Sequence, residues 1–180
     1  EGDTLGWVRQ TDGKSDVLLA TADGMAIRFS EADVRAMGLV AAGVGGIKLG
    51  ARDEVVGMDV LPPKGEVLLV AADGKAKRCA AALFPKQGRY GQGVVAWKLP
   101  RTTTLVGLAV GRPSTRVTLH LTKLAPKAMR FDEAPLQTRA ASGKMVVEAK
   151  NVQVVGLTIP WEAPRSANGH ARSTSNKAED

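Results

Sequence analysis

The sequence predicts an all-β protein made of propeller-type blades, about four antiparallel strands to a blade, with about three blades in an open arc. Three observations carry that expectation. A glycine-centred apolar segment recurs as Val55-Val-Gly-Met-Asp-Val60, Leu105-Val-Gly-Leu-Ala-Val110 and Val154-Val-Gly-Leu-Thr-Ile159, with a weaker copy at Leu5-Gly-Trp-Val8. Its glycines, Gly6, Gly57, Gly107 and Gly156, are spaced by 51, 50 and 49 residues. In the same phase, Asp16-Val-Leu-Leu-Ala-Thr-Ala-Asp-Gly24 matches Glu66-Val-Leu-Leu-Val-Ala-Ala-Asp-Gly74, and Gly43, Gly93 and Gly143 each open a short apolar run. Self-similarity at a period of 20–50 residues is the signature of an array of supersecondary units.

Each unit is legible in order. Residues 16–29 and 66–79 place an apolar run on each side of Asp-Gly, which predicts a β-hairpin closed by a two-residue type I′ turn at Asp23-Gly24 and Asp73-Gly74. A polar connection follows, then a strand over Gly43–Leu49 or Gly93–Leu99, then the glycine-centred strand. Helical signal is confined to Ser30–Met37, at most two turns, with Ser30 as N-cap and Asp33 at the capping-box position. In the third unit Leu121-Thr-Lys-Leu-Ala-Pro-Lys-Ala-Met129 replaces the Asp-Gly turn, which predicts an irregular or longer connection. The units fall at about 2–50, 51–100 and 101–160, and the polar stretch 161–180, poor in large apolar residues, reads as a disordered tail.

Composition narrows the function classes. No apolar stretch is long enough to span a membrane as a helix, and no signal peptide is visible. Cys79 is alone and reads as a small packing residue in a strand. His120 and His170 lack partners at ligand spacing, so no metal site is expected, and no set of nucleophile, base and orienting acid is present. Tyr90 reads as a loop residue, the pairs Asp53-Glu54 and Asp132-Glu133 as turn residues, Trp7 and Trp97 as core or blade-interface residues, and Trp161 as a cap on the array.

The net charge of +7 is unevenly placed: −2 over residues 1–50, +3 over 51–100, +6 over 101–150 and zero over the last thirty. Basic residues also return in phase. Arg28, Arg78 and Arg130 each end the second hairpin strand; Lys48 and Lys98 sit in the strand after the glycine; Arg35, the Lys86–Arg89 segment and Arg139 fall in the connection before it. With Lys77 and Lys144 these eleven residues form the candidate binding set. A charge repeated along a curved array makes a basic rim suited to a long polyanion. The scarcity of aromatics argues against stacking on single-stranded bases and for the phosphate backbone of a duplex. The competing class is a peptide-binding propeller, which a mixed or apolar patch would mark instead.

The segments Val17–Phe29, Asp33–Gly38, Gly43–Leu49 and Asp53–Gly57 closely resemble a late blade of the C-terminal domain of the DNA gyrase A subunit. Ala71–Arg78 with Gly93–Leu99 resembles the following blade, and the divergent third unit, ending in Val154-Val-Gly-Leu157, resembles the last. That resemblance implies a β-pinwheel, whose blades exchange a strand with their neighbours and whose basic perimeter wraps duplex DNA. It implies a type IIA topoisomerase A subunit that introduces negative supercoils with an ATPase partner subunit, ATP and Mg²⁺ being used elsewhere in the assembly. No cofactor, small-molecule substrate or membrane is implied for this chain, and its expected place is the cytoplasm, on the nucleoid. With about three blades and Glu1 at its start, the chain reads as the C-terminal part of a longer subunit.

One departure from the family pattern stands out. The glutamine-arginine-arginine-glycine-rich box of a gyrase first blade has no match, so gyrase and topoisomerase IV remain alternatives. The nearest segment, Lys86-Gln-Gly-Arg-Tyr-Gly-Gln-Gly93, is either a loop that lets the backbone approach phosphates or a plain connection between strands.

Overall fold

A computed structural model describes residues 4–148 and 150–160. Trp161 and the tail 161–180, for which capping and disorder were expected, lie outside the described residues.

Among the described residues eleven strands form three sheets. The strands are Asp16–Thr21 (β1), Met25–Ser30 (β2), Val55–Leu61 (β3), Glu66–Ala71 (β4), Lys75–Ala80 (β5), Val94–Val95 (β6), Leu105–Gly111 (β7), Arg116–Leu121 (β8), Lys127–Arg130 (β9), Lys144–Met145 (β10) and Val154–Thr158 (β11). Blade 1 has the order β3-β1-β2-β6, blade 2 the order β7-β4-β5-β10, and blade 3 only β11-β8-β9. The all-β, propeller-like architecture expected from the fifty-residue period is therefore present.

The fourth strand of a blade comes from the next repeat. β6 belongs to the second repeat but pairs with β2, Met25 opposite Val95 and Ala26 opposite Val94; β10 likewise pairs with β5, Lys75 opposite Met145 and Ala76 opposite Lys144. The amides of Ala96 and Trp97 donate to the Gly24 carbonyl at 2.8 and 3.1 Å, and those of Val146 and Val147 to the Gly74 carbonyl at 2.9 and 3.1 Å. These exchanged strands are two residues long, not the seven expected over 93–99. Residues 43–49 form no strand at all, nor does the weak copy at 5–8. A strand needs a ladder partner, and among the described residues no hairpin precedes β1 to receive 43–49; Ile47 is still buried, against Ile27 and Phe29.

The hairpins hold, but their turns are not type I′. The amide of Gly24 donates to the Thr21 carbonyl at 2.9 Å and that of Gly74 to the Ala71 carbonyl at 3.1 Å, and only the glycines have positive φ, 81° and 87°. This is a three-residue loop with glycine in the left-handed position, which spares Asp23 and Asp73 a left-handed backbone. In blade 3 the connection between β8 and β9 is five residues long, Thr122–Pro126, as the lost Asp-Gly turn required. The helical window shrinks to one 3-10 turn at Glu31–Asp33, repeated at Ala81–Leu83 and Phe131–Glu133. Ser30 makes no capping bond with its side chain.

Blades pack face to face, so the core lies between them. β4 is buried on both faces, which explains its unbroken apolar run Val67-Leu-Leu-Val70. Val67 and Leu69 join Leu18, Leu61 and Trp97 between blades 1 and 2. Leu68 and Val70 join Val117, Leu119 and Phe131 between blades 2 and 3. The repeated glycine of the inner strand has a packing cause. A Cβ on Gly57 would lie 2.8 Å from Leu108 Cγ and 2.9 Å from its backbone nitrogen, and one on Gly107 would lie 3.1 Å from Leu157. Blades 1 and 2 thus each seat a leucine of the next blade on a bare backbone.

A second tie crosses each boundary. Arg28 binds Asp16 of its own blade at 2.7–2.8 Å and donates to the Phe84 carbonyl of the next repeat at 3.2 Å. Fifty residues on, Arg78 binds Glu66 at 2.5 Å and donates to the Ala134 carbonyl at 2.7 Å. Lys86 adds a 2.8 Å contact to Asp16. Burial by itself would raise the Asp16 carboxyl, but hydrogen bonds from Lys86 and Arg28 outweigh it and hold the group below its ordinary value.

Two outcomes follow from this packing. Gly57→Ala should cost about 1–3 kcal/mol, because the clash is with backbone, while Gly156→Ala, with nothing within 4 Å of the new methyl, should leave stability within about 0.5 kcal/mol; paired thermal melts check both. For Asp16, a lowered folded-state pKa means stabilisation that is fully present above its ordinary value of 3.8 and is lost as pH falls through the folded value. Asp16→Asn should therefore be less stable than the parent at neutral pH, and the gap should close in melts taken down to about pH 2.

Candidate nucleic-acid interface

The eleven candidate cations divide by location. Arg28 and Arg78 are the two blade ties and are largely covered, with side-chain exposures of 18% and 11%. Lys77 is fully buried. Its ammonium donates to the carbonyls of Arg139 at 2.6 Å, Ala141 at 2.9 Å and Thr138 at 3.3 Å, and lies 4.9 Å from the Trp97 ring centre. All three N–H donors are used within the fold, and burial lowers its pKa. Lys77 therefore does not belong to a surface set. The polar residues of Lys75-Ala-Lys-Arg-Cys79 suggested a solvent face, but β5 is buried on both faces from Ala76 to Cys79.

Arg130 is exposed but is not the counterpart of Arg28 and Arg78. The hairpin register sets Leu18 opposite Arg28, Leu68 opposite Arg78 and Thr118 opposite Ala128. Arg130 lies two residues further on, opposite Arg116, and its guanidinium pairs with Asp132. The register of blade 3 repeats that of blades 1 and 2 at a step of fifty residues, so position 128, an alanine, is the counterpart and Arg130 falls at the position of Ser30 and Ala80.

Arg89 and Arg139 are true equivalents, and each reaches back to the repeat before its own. Arg89 donates to the Gly45 carbonyl, and Arg139 to the Val95 carbonyl at 2.6 Å. In the loop 86–93, the Gln87 amide donates to Arg28 and the Tyr90 amide to Gly46, at 2.8 and 2.9 Å. Tyr90, with φ of 67°, lays its ring over Gly45. Two amides that a phosphate would need are thus occupied, which favours the plain-connection reading of this loop.

Arg35, Lys48, Lys98 and Lys144 are exposed and make no ion pair among the described residues. Lys86 is exposed over about half of its side chain while touching Asp16. The structure adds Arg52, Arg101 and Lys150, three exposed cations in the turns that lead into β3, β7 and β11. Their spacing of about fifty residues is visible in the sequence, but they precede the strand markers and so fall outside the candidate set. Lys64 and Arg112 occupy the turns at the opposite end of β3 and β7 and are also exposed. Apart from Arg116, Lys127 and Arg130 in the strands of blade 3 and Lys144 in β10, the exposed cations lie on connections, several of them repeated from blade to blade.

The other singled-out residues fall where packing needs them. Trp97 is buried between blades, while Trp7 is 38% exposed. Cys79 is buried, and that burial pushes its thiol pKa up. His120 lies in β8, with its Nε2 3.1 Å from Thr158 Oγ1. Asp53 accepts hydrogen bonds from the amides of Asp23 and Glu54 at 2.9 and 3.0 Å, and Glu133 from the amide of Arg130 at 2.7 Å.

Known proteins share this arrangement. A family model described as DNA gyrase C-terminal domain, beta-propeller, matches residues 15–62 and 65–110, the first two repeats. The DNA gyrase A subunit of Klebsiella oxytoca is 51% identical over 65 residues, covering 36% of this chain and 7% of that protein. That of Staphylococcus epidermidis is 52% identical over 60 residues, covering 33% and 7%. The matched stretch thus spans 7% of the length of these relatives. Among solved structures, a C-terminal domain of DNA topoisomerase IV superposes with a TM-score of 0.77 at 24% identity, over 82% of this chain and 47% of that one. The E. coli ParC C-terminal domain gives 0.66 at 17% identity, over 88% and 66%. At these identities the structural likeness concerns the fold. The family match covers the first two repeats, more than half of the chain, and the chain belongs to the family of DNA gyrase A C-terminal β-pinwheel domains.

Proposed function

We propose that this domain binds duplex DNA without sequence preference and curves it along the exposed connections of the arc. The observation that carries the proposal is the blade-to-blade recurrence of exposed cations outside the internal ties, Lys48 with Lys98 and Arg52 with Arg101 and Lys150. A duplex carries one negative charge per about 1.7 Å of axis, so a cation on each blade finds a phosphate within reach wherever the duplex crosses the rim. Contacts of this kind position DNA and do not read bases. The net gain of positive charge along the chain supports a stronger hold on blades 2 and 3 than on blade 1.

In the parent protein the domain would serve a gyrase-type A subunit, presenting wrapped DNA to a cleavage gate so that negative supercoils form. The ATPase partner subunit would be reached through the rest of that polypeptide, and ATP and Mg²⁺ would be used there. The relatives from Klebsiella oxytoca and Staphylococcus epidermidis, both gyrase A subunits by name, support this over a topoisomerase IV-type role.

Two measurements check the proposal. In gel shifts at graded salt, log affinity should fall linearly with log salt, with a slope of about −0.9 per phosphate neutralised; binding indifferent to salt would remove the proposal. Charge removal should also separate the two classes of cation. Lys98→Ala, Arg101→Ala or Lys150→Ala should each reduce the salt slope by about 1 with an unchanged melting temperature. Arg78→Ala should instead cost about 2–4 kcal/mol of stability, because it leaves Glu66 and the Ala134 carbonyl without a partner.

A further inference from the structure

We propose that blade 3 is built as a terminal blade: its outer strand β9 refuses the exchanged strand that β2 and β5 accept. The array of exchanged blades then stays open at this edge, whatever else the polypeptide contains.

Acceptance on blades 1 and 2 uses the same set of groups at the same positions. The outward-facing backbone of the second hairpin strand is that of residues 24, 26 and 28, or 74, 76 and 78. Gly24 and Gly74 each take two amides on one carbonyl. Ala26 and Ala76 pair with Val94 and Lys144. The Arg28 carbonyl takes the Gln87 amide, and the Arg78 carbonyl takes that of Gln137, both at 2.8 Å. The guanidinium of each arginine, fixed by Asp16 or Glu66, then reaches a carbonyl of the incoming repeat.

Each of these groups is changed on blade 3. By the register of Thr118 with Ala128, the counterpart of Arg28 and Arg78 is an alanine, and that of Asp16 and Glu66 is Arg116. Two residues before Ala128 stands Pro126, where the acceptor blades have Ala26 and Ala76; proline has no N–H and is confined to strand edges that are not paired. Two residues further back stands Leu124 in place of the glycine, without a left-handed backbone. A Cβ at Gly24 or Gly74 would come within 2.2 Å of the Trp97 carbonyl or 2.6 Å of the Val147 carbonyl, so a leucine there obstructs the incoming chain. At the other end of β9 the Arg130 amide is already taken, at 2.7 Å, by the Glu133 carboxylate.

A missing neighbour alone would leave the acceptor groups in place. Here both members of the ion pair, the glycine and the paired alanine are all replaced, and what replaces them blocks pairing. Proline, charge and local capping are the means by which sheet edges avoid adding a strand.

The test offers the full chain a strand in trans. A fluorescent peptide of residues 84–99, the segment that crosses onto β2, is titrated while amide exchange is followed at Ala128. The parent should show no saturable binding up to about 1 mM and no new protection at Ala128. The variant Arg116→Glu, Leu124→Gly, Pro126→Ala, Ala128→Arg restores the acceptor groups and should bind at least about tenfold tighter, with the amide at position 128 becoming protected. If that variant does not fold by circular dichroism, Leu124→Gly with Pro126→Ala carries the same comparison. Saturable binding by the parent with protection at Ala128, or no gain in a folded variant, overturns the proposal.

Discussion

The carbonyl oxygens of Gly24 and Gly74 each accept two amides from the repeat that follows, and the rest of the structure depends on that exchange. A three-stranded antiparallel sheet has two edges and two faces to cover. Here the neighbour covers one edge with β6 or β10 and one face with its own apolar side chains. The glycines make this possible twice over: they close the hairpin with a positive φ, and they leave room for a carbonyl where a side chain would stand. Because pairing and packing cross the same boundary, a blade is not a separate folding unit, and stability is shared along the array.

That boundary also decides what each cation can do. An arginine on the outer edge of a hairpin lies where the next repeat lands, so Arg28 and Arg78 become ties with a carboxylate behind and a carbonyl ahead. Lys77 goes further and fills its three donors with the carbonyls of one loop, against the face of Trp97. Buried charge of this kind is retained only when every donor is satisfied. The connections outside the boundary are free of that duty, and many of the exposed cations lie there, the others being in the strands of blade 3 and in β10. A basic rim and a set of internal ties thus arise from one residue type in one repeat, separated by position across the blade.

Blade 3 shows the same logic with the boundary removed. Among the described residues β9 receives no strand, and there Ala128 stands in place of the tying arginine, Arg116 in place of the carboxylate, and a five-residue connection in place of the tight turn. Residues 101–150 carry nine basic and only three acidic side chains, so few of the cations there have a carboxylate to pair with.

The sequence by itself determined the period, the hairpins, the inner strands and the longer connection of blade 3. Those depend on residues close together in the chain: apolar runs on each side of Asp-Gly, and a glycine every fifty residues. It also exposed the accumulation of charge, which is a matter of composition. It did not determine the turn type, since Asp23 and Asp73 keep a negative φ only because a third residue joins the loop. Nor did it determine which strands belong to which sheet, because Val94–Val95 and Lys144–Met145 find partners about seventy residues away. The candidate site was legible only as a list of cations. Whether Lys77, Arg78, Lys98 or Arg130 meets solvent or a neighbouring carbonyl depends on where the next blade lands, and that is a property of packing between repeats, which no local pattern encodes.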